Sequence, residues 1–100
     1  MEVCFGDDAL DRLEVDPKFT ARLPAEVVKA YRKVLNFIRQ AADERDLRSW
    51  KALHFEKLEA DKEGQYSLRL NRQWRLVVEF EGQSPTKTVV IRKIENYHKD

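Results

Sequence analysis

Cysteine is nearly absent from this chain. Cys4 stands alone among 100 residues, so neither an intrachain disulfide nor a cysteine-based zinc site is available and the fold has to be held by its core. Cys4 itself is expected as a buried strand residue. No apolar run approaches membrane-spanning length and no basic-then-apolar segment opens the chain. Neither a transmembrane helix nor a signal peptide is therefore expected, and the cytoplasm is the expected location. A large charge of one sign is also lacking: the formal net charge is +1, which gives no global argument for nucleic acid. No repeat or low-complexity segment interrupts the order.

What is present is 42% apolar and 37% charged composition, which describes one domain over residues 1–100. The charges are unevenly spread. Glu2, Asp7, Asp8, Asp11, Glu14 and Asp16 face Arg12 alone in the opening segment, and Lys18, Arg22, Lys29, Arg32, Lys33 and Arg39 face Glu26 in the next. An acidic start is followed by a basic helix, read as a solvated face in preference to a dedicated nucleic-acid surface.

"EVCF" reads as a short strand and "GDDALDRLEVD" as a short helix capped by Asp7 or Asp8, stopping before Pro17. A long helix follows. Pro24 suits its first turn, and Val27, Val28, Tyr31, Val34, Leu35, Ile38, Ala41 and Ala42 recur at helical steps to about Arg45. "DLRSW" is a turn or short helical segment that returns Trp50 to the core. From residue 52 the period becomes alternating, with strands expected at "ALHFEKL", "QYSLRLN", "WRLVVEF" and "KTVVIRKIENY", the last carrying a bulge. The fold class is α+β: an N-terminal strand and two helices packed on one face of a mainly antiparallel twisted sheet of four to five strands.

Paired residues in an antiparallel ladder point to one side, so the hairpin cannot pair Leu70 with Arg75. Pairing Leu70 with Trp74 across Asn71-Arg72-Gln73 satisfies both faces and sets Arg69 opposite Arg75. Like charges so placed are unfavourable unless solvent or an anion relieves them. The pair is either an anion site or a splayed pair engaging Glu79 and Glu81.

The only histidines are His54 and His98. Histidine carries protons near neutral pH, and arginine partners a phosphate whose charge grows during reaction. With Lys57 and Tyr97, the inventory of His54, Arg75 and His98 suits phosphodiester cleavage without a metal, by attack of an RNA 2′-hydroxyl on the adjacent phosphorus. The bland alternative is that Tyr97 and His98 merely cap the sheet. His54 and Lys57 lie three apart, so they share a site only if their strand is bulged or begins later. No cofactor is expected, and a metal site from His54, Glu56 and His98 is the weaker alternative because no HxxxH or cysteine pair supports it. Trp50 and Trp74 read as core anchors, although an aromatic near the polar face could stack on a base.

"LHFEKLEADKEGQYSLRLNRQWRLVVEF" with the later "IENYH" resembles the HigB branch of the RelE/ParE toxin superfamily, and the resemblance covers essentially the whole chain. It implies a RelE-like fold and a ribosome-dependent endoribonuclease toxin of a type II toxin-antitoxin system. It further implies action on mRNA at the small-subunit decoding site, a HigA-like helix-turn-helix antitoxin as partner, and operator DNA contacted only through that antitoxin. Carried over, it implies His54, Lys57, Arg75, Tyr97 and His98 as catalytic residues; Arg69, Arg72 and Asn96 are expected on the RNA or its phosphates. The departures are Asn96, where the family has Asp, Glu59-Ala60, where it has Lys-Gly, and the extra Lys99 and Asp100. The alternatives are a non-nucleolytic, gyrase-inhibiting toxin of the same superfamily and an attenuated scaffold acting only as a binding protein.

Overall fold

The computed structural model describes residues 1–58, 64–83 and 87–96. The elements run β1 (Glu2–Phe5), α1 (Asp8–Val15), α2 (Ala25–Gln40), α3 (Glu44–Ser49), a 3-10 turn (Lys51–Leu53), β2 (Glu56–Lys57), β3 (Gln65–Arg69), β4 (Trp74–Glu81) and β5 (Thr88–Asn96). The sheet order is β1-β5-β4-β3-β2. β1 runs parallel to β5 and the other pairings are antiparallel. This is the expected α+β arrangement with five strands and a third short helix.

Asp7 caps α1, its Oδ1 accepting from the Leu10 N–H at 2.9 Å. α2 buries Val27, Val28, Tyr31, Val34, Leu35 and Ile38 along one face. It ends at Gln40 rather than near Arg45 because the following residues cap a new helix: Asp43 Oδ1 accepts from the Arg45 N–H at 2.9 Å. The α2 carbonyls left over at that end find other donors, since the Met1 ammonium donates to Ile38, Arg39 and Ala41 oxygens at 3.1, 3.0 and 2.7 Å. α3 then brings Trp50 onto Phe37, ring centroids 4.4 Å apart.

The acidic α1 and basic α2 are partly explained by each other. Arg39 forms a bidentate pair with Glu14, both contacts 2.8 Å. Arg32 donates from Nε to the Leu13 carbonyl and from Nη2 to those of Asp16 and Phe19, closing the end of α1 and the loop behind it. Among the described residues no helix is long and apolar enough to cross a membrane.

Leu68, Leu76, Val78, Val89 and Ile91 meet Tyr31, Leu35 and Ile38 in the core. The regular alternation of β5 is broken: Val77 pairs with Lys93 but Val78 pairs with Ile91, which leaves Arg92 as the extra residue of a bulge. Cys4 departs from expectation. It is exposed, paired with Val90 on the short outer strand β1, where parity turns it away from the helices. Glu59, Ala60, Tyr97, His98, Lys99 and Asp100, and the Ser84-Pro85-Thr86 part of the expected turn, lie outside the described residues.

Tyr31 is fully buried and its hydroxyl donates to the Leu10 carbonyl at 2.8 Å. Burial, with Glu14 nearby, pushes the phenol pKa far up. Tyr31→Phe leaves the Leu10 carbonyl without that donor in the core, so a loss of about 1–2 kcal/mol is expected. Urea unfolding checks it: an unchanged midpoint would mean that the hydrogen bond adds nothing to ring packing.

Candidate active site

The β3–β4 hairpin is closed by Asn71, whose Oδ1 accepts from the N–H groups of Gln73 at 2.8 Å and Trp74 at 2.9 Å. The Leu70 N–H donates to the Trp74 carbonyl at 2.9 Å. The ladder then sets Arg69 opposite Arg75, and Arg75 opposite Glu95 of β5. All three side chains leave the sheet on the face away from the helices.

The two arginines find different relief. Arg75 donates from Nε to Glu95 Oε2 at 2.9 Å and from Nη2 to the same oxygen. Lys93 holds the other oxygen at 2.9 Å. Glu79, one of the partners expected for the arginines, is taken by Arg92 at 2.9 Å and Gln65 at 2.9 Å. Arg69 Nη1 lies 3.1 Å from His54 Nε2. A guanidinium has only donors, so Nε2 accepts in this contact, as it would in taking a proton from a substrate hydroxyl.

His54 reaches this position through its backbone. It caps the 3-10 turn in the left-handed region, φ 47° and ψ 53°, and its N–H donates to the Lys51 carbonyl at 3.1 Å. A side chain with a Cβ is strained there, by roughly 1–2 kcal/mol. β2 therefore begins only at Glu56, later than "ALHFEKL" implies, and Ala52 and Leu53 belong to the turn.

The side chains enclose an open cleft of about 350 Å³. His54, Arg69, Arg72 and Arg75 line it as a set, together with Glu56, Ser67 and Trp74. Lys57 does not line it: it pairs with Tyr66, whose ring stacks on Phe55 on the helix side, centroids 5.2 Å apart. Parity gives the cleft Glu56 instead, because Glu56 pairs with Ser67. Asn96 pairs with Trp74 beside the Arg75–Glu95 rung. Tyr97 and His98 follow it in the chain, outside the described residues.

Sequence reasoning missed Glu95 and Ser67, and for Trp74 it put the core ahead of a place near the polar face. Trp74 was expected in the core, but it sits at the hairpin end, where the core has run out. Ser67 had a usable signal, since it shares the parity of Arg69. Among the described residues no three His, Cys, Asp or Glu side chains gather as metal ligands; the third member of the His54, Glu56 and His98 set lies beyond them.

Residues 3–94 match the family model of the RelE-like toxin of type II toxin-antitoxin system HigB. The chain belongs to this family. It is also 32% identical, over 77 residues, to an uncharacterized protein of Haemophilus influenzae, covering 77% of this chain and 76% of that protein. Its fold is that of a YoeB/ParE toxin from Agrobacterium tumefaciens, with TM-score 0.63, 19% identity and coverage of 99% and 100% of the two chains. The YoeB-YefM complex from Staphylococcus aureus gives TM-score 0.61 at 21% identity over 99% and 98%. The two structural likenesses span nearly the whole of this HigB-like toxin chain.

Burial works against the charge of Glu95, but hydrogen bonds from Lys93 and Arg75 outweigh it and hold the carboxyl below the usual range. Hydrogen bonds from Gln65 and Arg92 do the same for Glu79. Depressed folded-state values mean that this stabilisation is present above the unfolded carboxylate value, about 4.3, and is lost as pH falls through the folded values. The melting temperature is thus expected to stay level from about pH 7 to 5 and to fall below about pH 4, and Glu79→Gln should make the acid limb shallower in a calorimetric pH series. An acid limb equally steep in that variant would remove Glu79 from the account. His54→Gly relieves the left-handed strain while adding freedom to the unfolded chain, so stability should stay within about 1 kcal/mol of the parent. A loss beyond about 2 kcal/mol in chemical denaturation would show that the imidazole holds the fold rather than serving the cleft.

Proposed function

We propose that this toxin is a metal-independent endoribonuclease that cuts mRNA on the ribosome and thereby inhibits translation in the cytoplasm. The observation that carries the reading is the meeting of His54 Nε2, in its accepting state, with the Arg69–Arg75 pair in one cleft. Arg75 leaves Glu95 to meet the scissile phosphate, where a guanidinium stabilises the charge that grows in the transition state. His54 Nε2, released as Arg69 turns to a neighbouring phosphate, takes the proton of the 2′-hydroxyl as that oxygen attacks phosphorus. The bond to the 5′-oxygen breaks, and His98 protonates the departing oxygen; the products are a 2′,3′-cyclic phosphate and a 5′-hydroxyl.

Arg69 and Arg72 contact neighbouring phosphates, and Tyr97 and Asn96 position the RNA. Lys57, at the outer edge of β2 on the other side of the sheet, acts on flanking RNA rather than on the reacting atoms. The ribosomal decoding site presents the substrate. The partner is an antitoxin, of the HigA-like helix-turn-helix kind in the HigB branch, through which operator DNA is contacted. A complex of a similarly folded toxin with YefM supports such a partner.

The attenuated-scaffold reading draws on one observation, that Glu95 already occupies Arg75. Cleavage of a defined mRNA on programmed ribosomes separates the two. The parent protein should cut, and Arg75→Gln combined with His98→Gln should lower the rate by on the order of 10²–10⁴. Full cleavage by the double variant would refute the assigned chemistry, and intact mRNA with the parent protein would favour the scaffold.

A further inference from the structure

The cleft accounts for three cations on the outer face of the sheet, Arg69, Arg72 and Arg75, but among the described residues that face also carries Arg92 and Lys93. In a regular strand Arg92 and Lys93 would point to opposite sides. The bulge cancels the alternation. Lys93 pairs with Val77, in the parity of Arg75 and Glu95, while Arg92 reaches Glu79, which shares that parity along β4. Consecutive cations therefore stand on one face, a use to which bulges are suited because they re-aim a side chain. Gly6 adjoins this end: a Cβ there would lie 3.5 Å from Arg92 Nη1 and 3.1 Å from the Ile91 carbonyl.

The ion pairs do not cancel this positive character at the surface. The Arg92 and Lys93 side chains are 40% and 50% exposed, whereas their partners Glu79 and Glu95 are 27% and 24% exposed. In these two pairs the cation is the more exposed member, whereas Arg75 and Glu95 are almost equally exposed. Along β4, Arg75, Val77 and Glu79 step at two-residue intervals of about 6.8 Å, the scale of one backbone step in an extended nucleic-acid strand. Arg75, Lys93 and Arg92 follow this order along the sheet: Arg75 and Lys93 share Glu95, Lys93 pairs with Val77, and Arg92 reaches Glu79.

We propose that Lys93 and Arg92 continue from Arg75 as a stepped binding row for the phosphodiester backbone of single-stranded RNA, leading from the cleft toward Gly6. This rests on the nuclease reading for its ligand, but it concerns binding and not the cleavage step. Glu79 and Glu95 hold the cations in line and yield them to phosphates, which offer the same charge-assisted hydrogen bonds. A strand held in this way contributes affinity that depends on salt and not on sequence.

The test uses the full chain and a fluorescent single-stranded 2′-O-methyl RNA oligonucleotide, which retains the backbone charge and cannot be cut, with anisotropy titrations across a salt series. Arg92→Gln with Lys93→Gln is expected to weaken binding on the order of tenfold at low salt. Removing two phosphate contacts should flatten the slope of log K against log salt by about 1.4. Lys29→Gln with Lys33→Gln removes the same charge from exposed positions of α2 and should leave the slope as it is. Glu79→Gln should raise affinity, a gain that a merely structural role for the pair would not produce.

An unchanged slope in the Arg92 and Lys93 variant, an equal change in the α2 variant, or no binding by the parent protein would each overturn the row. So would equal loss of binding to a polyglutamate peptide, which marks a surface for acidic protein. If the slope flattens while the parent protein leaves mRNA intact on ribosomes, the row stands and the nuclease reading falls. If mRNA is cut and the slope is unmoved, the reverse holds.

Discussion

The outer face of the sheet depends on the closure of one turn by the side chain of Asn71. Its Oδ1 accepts from the Gln73 and Trp74 N–H groups, and this fixes Leu70 against Trp74. Sheet parity allows no intermediate: a slip of one residue would send every side chain of one strand to the other face. Leu76 and Val78 would leave the core, and Arg75 would enter it. The apolar row facing α2 and the charged row facing outward are thus one constraint seen from two sides. The core keeps the arginines out, and the turn keeps them opposite each other.

That opposition is unfavourable by itself, and the fold relieves it asymmetrically. Arg75 receives a carboxylate, Glu95, shared with Lys93. Arg69 receives a neutral acceptor, His54 Nε2. A second carboxylate beside Arg69 would have completed two ordinary ion pairs and left little to attract a phosphate. The imidazole satisfies a donor without cancelling the charge. It gets there only because the backbone at His54 adopts a left-handed conformation, and strain of this kind persists where the surroundings hold it.

Legibility in the sequence followed locality. The α2 face and the hairpin register were readable because each rests on a short-range period, 3.6 or 2, with a turn residue at a known offset. The end of α2 was not, because its apolar spacing continues through Ala41 and Ala42 while Asp43 competes to start a new helix. Trp74 misled because alternation describes a strand that stays over the core, and its end does not. Cys4 misled for a related reason: an apolar residue in a strand need not face inward when the strand is an edge. Glu95 could not be placed without the position of the bulge, which the irregular alternation announced but did not locate. Counting by twos from Val89 and Ile91, both buried, puts Lys93 and Glu95 on the core face. One extra residue at Arg92 returns them to the arginines.

Placing Glu95 also changes the meaning of Asn96. The family's carboxylate is absent from position 96, but a carboxylate stands one residue earlier, already in contact with Arg75. Around the cleft Arg69, Arg72 and Arg75 face Glu56 and Glu95, which leaves a positive balance for an anionic substrate. A further Asp at position 96, next to the Arg75–Glu95 rung, would lower that balance by one charge. With Glu95 in place, an uncharged amide at position 96 adds no further negative charge beside Arg75 and leaves more of the cleft's positive charge for a phosphate.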